Sequence, residues 1–294
     1  MTSVAKSSVE AAGAEVSVEK NTLASSQAMK DEIERVLEQP SEPEKRSRRK
    51  TLAVGLQYSS NRKDQGLRET RGRSVVMPLS MGVDVTDRTR MSVTVPLINK
   101  ESELVGNSGV YNSDALGVGD VSINATSQII NETDSRPGVA VSVGVGAPTG
   151  KSEDPRVSSK LSLGSGFWSV SAGATVSKRF DPATVFGSVR YQHVFADGQF
   201  GHEVEPGSSI EYSYGLGFSL NNALSISGHF AGAIHRNASV DGSVIEGSNS
   251  EPLEFVASSA LRLSSSARLE SNLGFGLNKD ASDARIGLTL TKDF

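Results

Sequence analysis

Hydrophobic and polar residues alternate along most of the chain between Leu52 and the final residue, Phe294. The last stretch shows the pattern well, because its two faces differ in polarity. One face would carry Ile286, Leu288, Leu290 and Phe294, and the other would carry Gly287, Thr289, Thr291 and Asp293. Side chains of a β-strand point alternately to its two sides, so one face suits lipid and the other suits water. The pattern predicts a membrane-spanning β-barrel.

Twelve stretches alternate in this way, and each is long enough to cross a bilayer as a tilted strand. The predicted strands are 51–60, 73–86, 90–98, 118–130, 138–148, 166–180, 183–194, 208–220, 223–236, 251–263, 267–278 and 284–294. The predicted fold class is therefore all-β: a 12-stranded antiparallel transmembrane β-barrel over residues 50–294, with an N-terminal helical segment before it.

Connections between the predicted strands alternate between short and long. The turns predicted on one side are 87–89, 131–137, 181–182, 221–222 and 264–266, and four of these five have three residues or fewer. The loops predicted on the other side are 61–72, 99–117, 149–165, 195–207, 237–250 and 279–283, and five of these six exceed ten residues. Outer-membrane barrels have short periplasmic turns and longer outer loops, whereas a soluble β-sandwich has no reason to sort its loops by length. We therefore expect a barrel in the bacterial outer membrane with both termini periplasmic. Its expected partners include outer-membrane lipid and the barrel assembly machinery.

The overall composition looks soluble, with 36% hydrophobic residues and a mean hydropathy of -0.26. Alternation accounts for this, and the longest apolar runs are far below the roughly 20 residues that a spanning helix needs. A net charge of -4 and a pI near 5.7 give no reason to expect nucleic acid as a partner. The absence of cysteine removes disulfides, thiolate metal sites and cysteine nucleophiles, and no cofactor is predicted.

The first 49 residues differ from the rest. Residues 1–20 lack a persistent period and are predicted to be a flexible tail. Residues 25–38 predict a short helix that ends before Pro40, and a basic linker follows it. The chain does not open with a charged region and an apolar core, so we expect a mature or trimmed form that carries an added or internal Met.

The predicted lumen has room for this helix. Gly, Ser and Thr dominate the inward positions, as in 138–146 and 213–219. Twelve strands about 4.8 Å apart, tilted near 40°, give a backbone radius of roughly 12 Å and a space about as wide as one helix. The helix is therefore predicted to plug the lumen. The residues assigned to the plug are Met29, Asp31, Glu32, Ile33, Glu34 and Leu37.

Charged inward positions are fewer, and they group on neighbouring predicted strands. They are Arg190, Glu211, Glu254, Arg262, Arg268, Glu270 and Arg285. Two interpretations stay open: cross-strand ion pairs that brace the wall, and a role in selectivity or in guiding a substrate. For Arg262, Arg268 and Arg285 the hypothesis is that they form a basic ladder, which binds the acidic plug residues Asp31, Glu32 or Glu34.

Enzymatic motifs are weak. The segment GAPTGKS (146–152) imitates a phosphate-binding loop, but its two glycines are one residue too close and no helix is predicted after it. The four histidines show no metal-binding spacing, and His229 and His235 are predicted as polar wall residues. A barrel hydrolase is the strongest enzymatic alternative, yet His202, in the loop sequence GHE, has no nucleophile at a defined position.

Three motifs and the terminal phenylalanine carry a family resemblance. The motifs are GVGDVSI (117–123), VSVGVGAPTGKS (141–152) and LGSGFWSVSAGATVSKRF (163–180). Over residues 50–294 the chain resembles the phenol meta-pathway or "transporter" family of outer-membrane barrels. With its N-terminal helix it is also similar to the exporters of the Pseudomonas functional amyloid (Fap) system, which implies secretion of amyloid subunits through a barrel gated by its own helix. It departs from them in having no long coiled coil and in Lys292, where the usual C-terminal assembly signal has an aromatic or apolar residue.

The sequence therefore predicts an outer-membrane channel or transporter that is not an enzyme. Its cargo is either a small solute or an unfolded polypeptide of amyloid type. Few aromatic residues face the predicted lumen, chiefly Phe167 and Phe186, which favours ions or a hydrophilic chain. The alternatives are a hydrolase of the phospholipase or protease type, and a barrel that serves as an adhesin or anchor through loops 99–117 and 149–165. The sequence leaves the direction of transport and the oligomeric state open.

Overall fold

The computed structural model describes residues 49–64, 68–106, 109–153 and 161–294. These parts of the chain form seventeen β-strands, numbered in chain order. The strands are β1 (Lys50–Asp64), β2 (Arg68–Asp84), β3 (Thr89–Gly106), β4 (Gly109–Val118), β5 (Val121–Ile130), β6 (Gly138–Ala147), β7 (Ser169–Phe180), β8 (Ala183–Val194), β9 (Asp197–Gln199), β10 (His202–Glu205), β11 (Ser209–Ser219), β12 (Leu224–His235), β13 (Ser239–Val240), β14 (Ser243–Val244), β15 (Leu253–Ser264), β16 (Ala267–Gly276) and β17 (Ala284–Asp293). Within the same residues, no helix is both long and apolar enough to span a membrane.

One antiparallel sheet closes on itself to form the barrel. It runs from β2 through β1, β17, β16, β15, β12, β11, β8, β7, β6 and β5 to β3, and the pairing of β2 with β3 closes the ring. β4 and β5 both pair with β3, at Leu97↔Val118 and Thr94↔Ser122, and therefore form one interrupted strand of the wall. Counted in this way, the described wall has twelve strands, and the predicted fold class is confirmed.

The wall is apolar outside and polar inside. Leu288 on β17 is 48% exposed, whereas its neighbour Thr289 is only 6% exposed. The same inversion recurs on β11, where Tyr214 is 54% exposed and Ser213 is 3% exposed. A protein surrounded by water would bury the large apolar side chains instead. The outer surface is therefore suited to hydrocarbon, as in transmembrane barrels.

All the predicted strands are present, but two predicted loops are wrong. Most of 61–72 is strand, because β1 continues to Asp64 and β2 already begins at Arg68. Most of 99–117 is strand as well, because β3 continues to Gly106 and β4 begins at Gly109. These four strands make one side of the wall taller than the rest. The alternation ends there because both faces of a strand above the hydrocarbon contact water, so the sequence no longer separates apolar from polar positions.

The two ends of the barrel differ in the way they connect the strands. The end that carries Lys50 and Phe294, which are joined by a backbone hydrogen bond of 2.8 Å, also carries short turns such as 181–182 and 265–266. At the opposite end, residues 195–208 and 236–252 contain a separate four-stranded sheet of β9, β10, β13 and β14. The sorting of loops by length thus holds on most of the circumference. The predicted tail, helix and linker before residue 49 lie outside the described residues.

Replacing Leu288 with arginine tests whether the exposed leucines face lipid. We expect the free energy of unfolding in lipid vesicles to fall by about 2–4 kcal/mol, as for a cation near the bilayer midplane. Fluorescence of Trp168, the single tryptophan of the chain, reports the unfolding. The matched control is Val244→Arg, because Val244 is also apolar and 64% exposed but lies in the outer sheet. Equal, small losses for the two variants would contradict a lipid-facing wall.

Candidate pore constriction

A β-bulge interrupts the wall between β4 and β5. Inward positions are odd-numbered along β4, as at buried Ala115, and even-numbered along β5, as at buried Ser122. The register against β3 shifts by one residue over the same interval. The extra residue lets Gly119 and Asp120 both lie on the inner side, since a bulge places two residues opposite one and redirects a side chain. A glycine suits the first position, because a Cβ there would lie 2.5 Å from Ile98 Cδ1.

The carboxylate of Asp120 fastens the β6–β7 loop to the inner wall. Its Oδ1 accepts a hydrogen bond from the backbone N–H of Gly150 at 2.9 Å. Its Oδ2 accepts bonds from the N–H of Ser165 at 2.5 Å and from the Ser165 hydroxyl at 2.7 Å. Hydrogen bonds to an ionised acceptor are stronger than those between neutral groups. One side chain therefore holds both arms of the loop.

Thr149 and a glycine contact complete the attachment. The Thr149 hydroxyl donates to the carbonyl oxygen of Gly119 at 3.1 Å and accepts from the N–H of Val121 at 3.0 Å, so it bridges the bulge. The two arms of the loop meet at Gly150 and Gly164, where a Cβ on Gly150 would lie 2.6 Å from the Gly164 Cα. Both positions require glycine because backbone approaches backbone there.

Apolar side chains seat the loop on the taller side of the wall. Leu163 is buried in a cluster with Val76 of β2, Ile98 of β3 and Ala115 of β4, and Leu161 packs against it. Burial of such side chains contributes about 1.5–3 kcal/mol each for a fully buried leucine or isoleucine. The loop is thus held by an apolar contact and by the Asp120 hydrogen bonds, and it narrows the lumen.

A cavity of about 80 Å³ lies beside this loop. Its apolar lining comes mainly from β2, β3 and the loop, and includes Val76, Pro78, Pro96, Ile98, Leu163 and Phe167. Its polar lining includes Gln57, Asn124, Ser171, Arg190 and Gln192. The volume is roughly half of the ~150 Å³ that holds one benzene molecule in an engineered protein cavity. The cavity thus combines an apolar and a polar lining in a small space beside the loop.

The predicted lumen charges form pairs. Arg285 donates a hydrogen bond to Glu254 through Nη2, and Arg268 donates one to Glu270 through Nε. The first pair joins strand β17 to β15, and the second pair joins two positions of the same strand, β16. Arg190 and Glu211 form the third pair and lie directly opposite each other on the paired strands β8 and β11. Their exposed fractions are 3% and 4%. Six of the seven charged residues singled out from the sequence therefore lie beside a residue of opposite charge.

Arg262, Arg268 and Arg285 do not form one contiguous ladder. Arg262 lies opposite Arg268 next to the turn 265–266, and Arg262 is exposed. Arg285 instead lies opposite Gly274, which is about 20 Å from Arg268 by strand rise. The acidic plug residues proposed as their partners, with the rest of the helix 25–38, lie outside the described residues.

The residues behind the enzymatic alternatives have other surroundings. GAPTGKS ends β6 and enters the loop without a helix among the described residues, and Gly150 packs against Gly164. His202 Nδ1 lies 2.7 Å from Asp241 Oδ2 in the outer sheet, and both side chains are largely exposed. His229 and His235 lie on the inner wall, where the ring of His229 packs edge-on against Phe186 at 5.8 Å. No group of three or more potential metal ligands occurs in the described parts of the chain.

Sequence reasoning missed Asp120, the central residue of the constriction. Its bonding partners lie 30 and 45 residues away, at distances that alternation cannot show. A signal was nevertheless present in the motif GVGD: an ionisable residue directly follows an inward glycine, which breaks the two-residue period. The bulge also brings the three motifs of the family resemblance together, since 117–123, 141–152 and 163–180 each contribute residues to the attachment.

Solved structures with the same architecture include an outer membrane channel and the membrane-transport units of two autotransporters. An outer membrane channel from Pseudomonas putida F1 is similar over 87% of this chain and 99% of that chain, with 18% identity and a TM-score of 0.68. The translocator domain of the autotransporter NalP from Neisseria meningitidis is similar over 93% and 98%, with 13% identity and a TM-score of 0.53. The transport unit of the autotransporter AIDA-I from Escherichia coli is similar over 91% and 96%, with 10% identity and a TM-score of 0.50. The fold is that of a bacterial outer-membrane β-barrel.

The family follows from the sequence match. Residues 75–291 match the model of the family described as "Putative MetA-pathway of phenol degradation". This range covers well over half of the chain, and the chain belongs to that family. The family resemblance identified from the three motifs is thereby confirmed, and the matched range contains the bulge, the loop and all seven charged lumen residues.

Replacing Asp120 tests the attachment of the loop. In Asp120→Ala the backbone of Gly150 and Ser165 loses its shared acceptor, so we expect a several-fold rise in single-channel conductance with more frequent fluctuations. Asp120→Asn retains one acceptor oxygen, so its conductance should lie between those of the wild type and Asp120→Ala. Asp197→Ala, at an exposed position of β9, is the control. Wild-type conductance in Asp120→Ala would contradict the constriction.

The Glu254–Arg285 pair gives a test of the lumen electrostatics. Removing one member leaves the other charge unbalanced, so Glu254→Gln should shift selectivity towards anions and Arg285→Gln should shift it towards cations. The double variant restores neutrality and should return close to the wild type. Reversal potentials in a salt gradient measure this. Equal potentials in all four proteins would mean that ions do not pass this part of the lumen.

Proposed function

We propose that this protein is an outer-membrane channel for small solutes. The observation that carries the proposal is a closed barrel with a polar inner wall, narrowed by the loop that Asp120 holds. Such an arrangement selects by width and by lining, which is how channels of this class discriminate. The family match and the similarity to an outer membrane channel support the same conclusion.

The cavity beside the loop indicates the chemical class of solute. Its apolar lining comes from branched aliphatic side chains, two prolines and Phe167, and faces a polar lining that offers hydrogen bonds. A small solute with an apolar ring and one polar group fits this combination better than a long hydrophilic chain does. The family description, which names phenol degradation, supports this choice. The preference for hydrophilic cargo drawn from the sequence rested on the scarcity of aromatics and did not consider Val, Ile, Pro and Leu as lining.

The charged pairs of the lumen are proposed as braces rather than as a binding site for cargo. Glu254 with Arg285 joins β15 to β17 and so fixes the spacing of strands around an open lumen, whereas Arg268 with Glu270 joins two inward positions of the same strand, β16. Pairs that neutralise each other also leave the lumen with little preference for the sign of an ion. Strong charge selectivity is therefore not expected of the wild type.

Gating by the N-terminal segment and the periplasmic position of both ends remain part of the proposal. The helix predicted for 25–38 precedes β1 in the sequence, and β1 begins at the end of the barrel that carries the short turns. Short turns lie on the periplasmic side of outer-membrane barrels. Phe294 directly follows the last strand, β17, at this end, where it is available to the barrel assembly machinery. A helix about as wide as the lumen can enter from this end.

Uptake and conductance test the proposed function directly. Liposomes containing the chain should swell in phenol or a small phenolic solute faster than in a tetrasaccharide, and empty liposomes serve as the baseline. Equal swelling in both, or swelling no faster than the baseline, would exclude a channel for small solutes. His202→Ala should change neither rate, and an assay for lipid and peptide hydrolysis with this variant tests the hydrolase alternative.

Deleting residues 1–48 tests the gate. We expect a large rise in conductance, because removal of a plug opens the lumen. Deleting residues 1–20 alone is the control, since it shortens the chain without touching the predicted helix. Equal conductance of the full chain and the longer deletion would place the helix outside the lumen and favour recruitment of a periplasmic partner.

A further inference from the structure

A row of inward-facing residues crosses four neighbouring strands of the wall beside the loop. Asn124 of β5 lies opposite Gly144 of β6. Gly144 lies opposite Ser171 of β7, and Ser171 lies opposite Gln192 of β8. We call these four residues the polar row. All four line the cavity, so its polar side is a continuous patch that faces the apolar residues of β2, β3 and the loop.

Gly144 lets two polar side chains of the row converge. A Cβ at this position would lie 2.7 Å from Ser171 Oγ and still closer to Asn124 Oδ1. Both oxygen atoms therefore approach the same point of the wall, one from each neighbouring strand. Because glycine leaves this point free, a polar atom of a solute that lies above it can contact both side chains.

Gln192 carries an unused acceptor at the end of the row. Its side chain is buried, with the residue 6% exposed, and its Oε1 has no hydrogen-bond partner among the described residues. The hydroxyl of Ser122, which lines the cavity from β5, is also buried and has no partner within that part of the chain. Buried polar atoms of folded proteins are nearly always hydrogen-bonded, so each exception needs an explanation. A solute that brings its own polar group to the cavity provides one.

We propose that the polar row binds a hydroxyl group of the solute, which donates a hydrogen bond to Gln192 Oε1. This inference rests on the proposed channel for small solutes with an apolar ring and one polar group, and it identifies that group. The ring then lies against apolar residues of the cavity such as Ile98 and Phe167. Side-chain amides and hydroxyls offer both donors and acceptors. They therefore match a hydroxyl, which also does both, better than a halogen or an ether oxygen, which has no hydrogen to donate.

The surroundings of the polar row favour a neutral hydroxyl over an anion. None of its side chains is charged. Arg190 lines the same cavity from the next inward position of β8, but it lies directly opposite Glu211. The carboxylate of Glu211 opposes the attraction of Arg190 for an anion. A phenol or an aromatic alcohol therefore fits the cavity better than an aromatic carboxylate such as benzoate.

Phenol and fluorobenzene test the polar row, because they share a ring and are similar in size, but only phenol donates a hydrogen bond. Isothermal titration calorimetry measures their binding to the full-length chain in lipid nanodiscs, and the heats of empty nanodiscs are subtracted. The wild type should bind phenol about tenfold more tightly than fluorobenzene, as expected for one additional net hydrogen bond. Its ion conductance is measured separately in planar bilayers.

Two variants should abolish the preference for phenol by different routes. Gln192→Leu removes the acceptor. Gly144→Ala removes no polar group, but its Cβ pushes Asn124 and Ser171 away from their common point. Because both displaced atoms are the ends of flexible side chains, the backbone of the wall stays in place. Heat-modifiable migration in electrophoresis shows that each variant is a folded barrel.

Matched controls lie on β16 and β17, outside the cavity lining. Asn272→Leu removes a buried amide whose Oδ1 likewise has no partner among the described residues. Gly287→Ala places a Cβ 2.6 Å from Asn272 Nδ2 and so displaces an amide in the same way as Gly144→Ala. Both controls should keep the tenfold preference of the wild type.

Four results would overturn the proposal. Equal affinity of the wild type for phenol and fluorobenzene would mean that the polar row only contacts water. A preference that survives in both Gln192→Leu and Gly144→Ala would place the bound hydroxyl elsewhere, and its loss in the controls would mean that the effect is not specific to the row. Tighter binding of benzoate than of phenol would assign the cavity to an anion and Arg190. Each of these results leaves ion conductance as it is, so they are distinct from failure of the proposed channel, which would appear as a wild type that does not conduct.

Discussion

The structure depends on one requirement of the hydrocarbon layer: every backbone N–H and C=O group there must find a partner within the protein. A sheet meets this requirement only if it has no free edge, and the pairing of β2 with β3 removes the last edge of this one. Closure then fixes the two surfaces, because side chains that alternate along each strand must face either lipid or lumen. The polar lumen and the loop attached to it both follow from that closed wall.

Closure also explains why the wall could be read from the sequence and the constriction could not. Alternate residues of β17 contact lipid and the polar lumen, so the strand is predicted by the alternation of apolar and polar residues in its sequence. At Arg62 and Arg73 both faces meet water, the contrast disappears, and the predicted strands end too early. Asp120 acts on Gly150 and Ser165, which are distant in the chain, and no local period records that contact. The arginine ladder was wrong as a contiguous unit for a related reason. Arg268 and Arg285 share the inner face, but their separation along the wall depends on the register between β16 and β17.

The family motifs acquire a physical meaning from the constriction. GVGD supplies the bulge and the carboxylate, APTG supplies the bridging hydroxyl and a glycine, and LGSG supplies the facing glycine and the Ser165 donors. Each segment provides contacts at one point of the structure, whereas the wall around them requires only that polarity alternate along each strand. The Glu254–Arg285 and Arg268–Glu270 pairs lie outside this cluster, which is consistent with a bracing role, whereas Arg190 lines the cavity beside the loop.

The bulge at Gly119 and Asp120 has a consequence for how such a pore can change over time. Loss of one residue within a regular stretch of a wall strand would turn part of that strand inside out, since each position beyond the gap would change sides. Here the extra residue makes odd-numbered positions face inwards along β4 and even-numbered positions face inwards along β5. Its loss would let the two segments form one regular strand. Deletion of this one residue would therefore remove the constriction while the barrel stays closed. Mutation can thus change the width of the pore without disrupting the barrel.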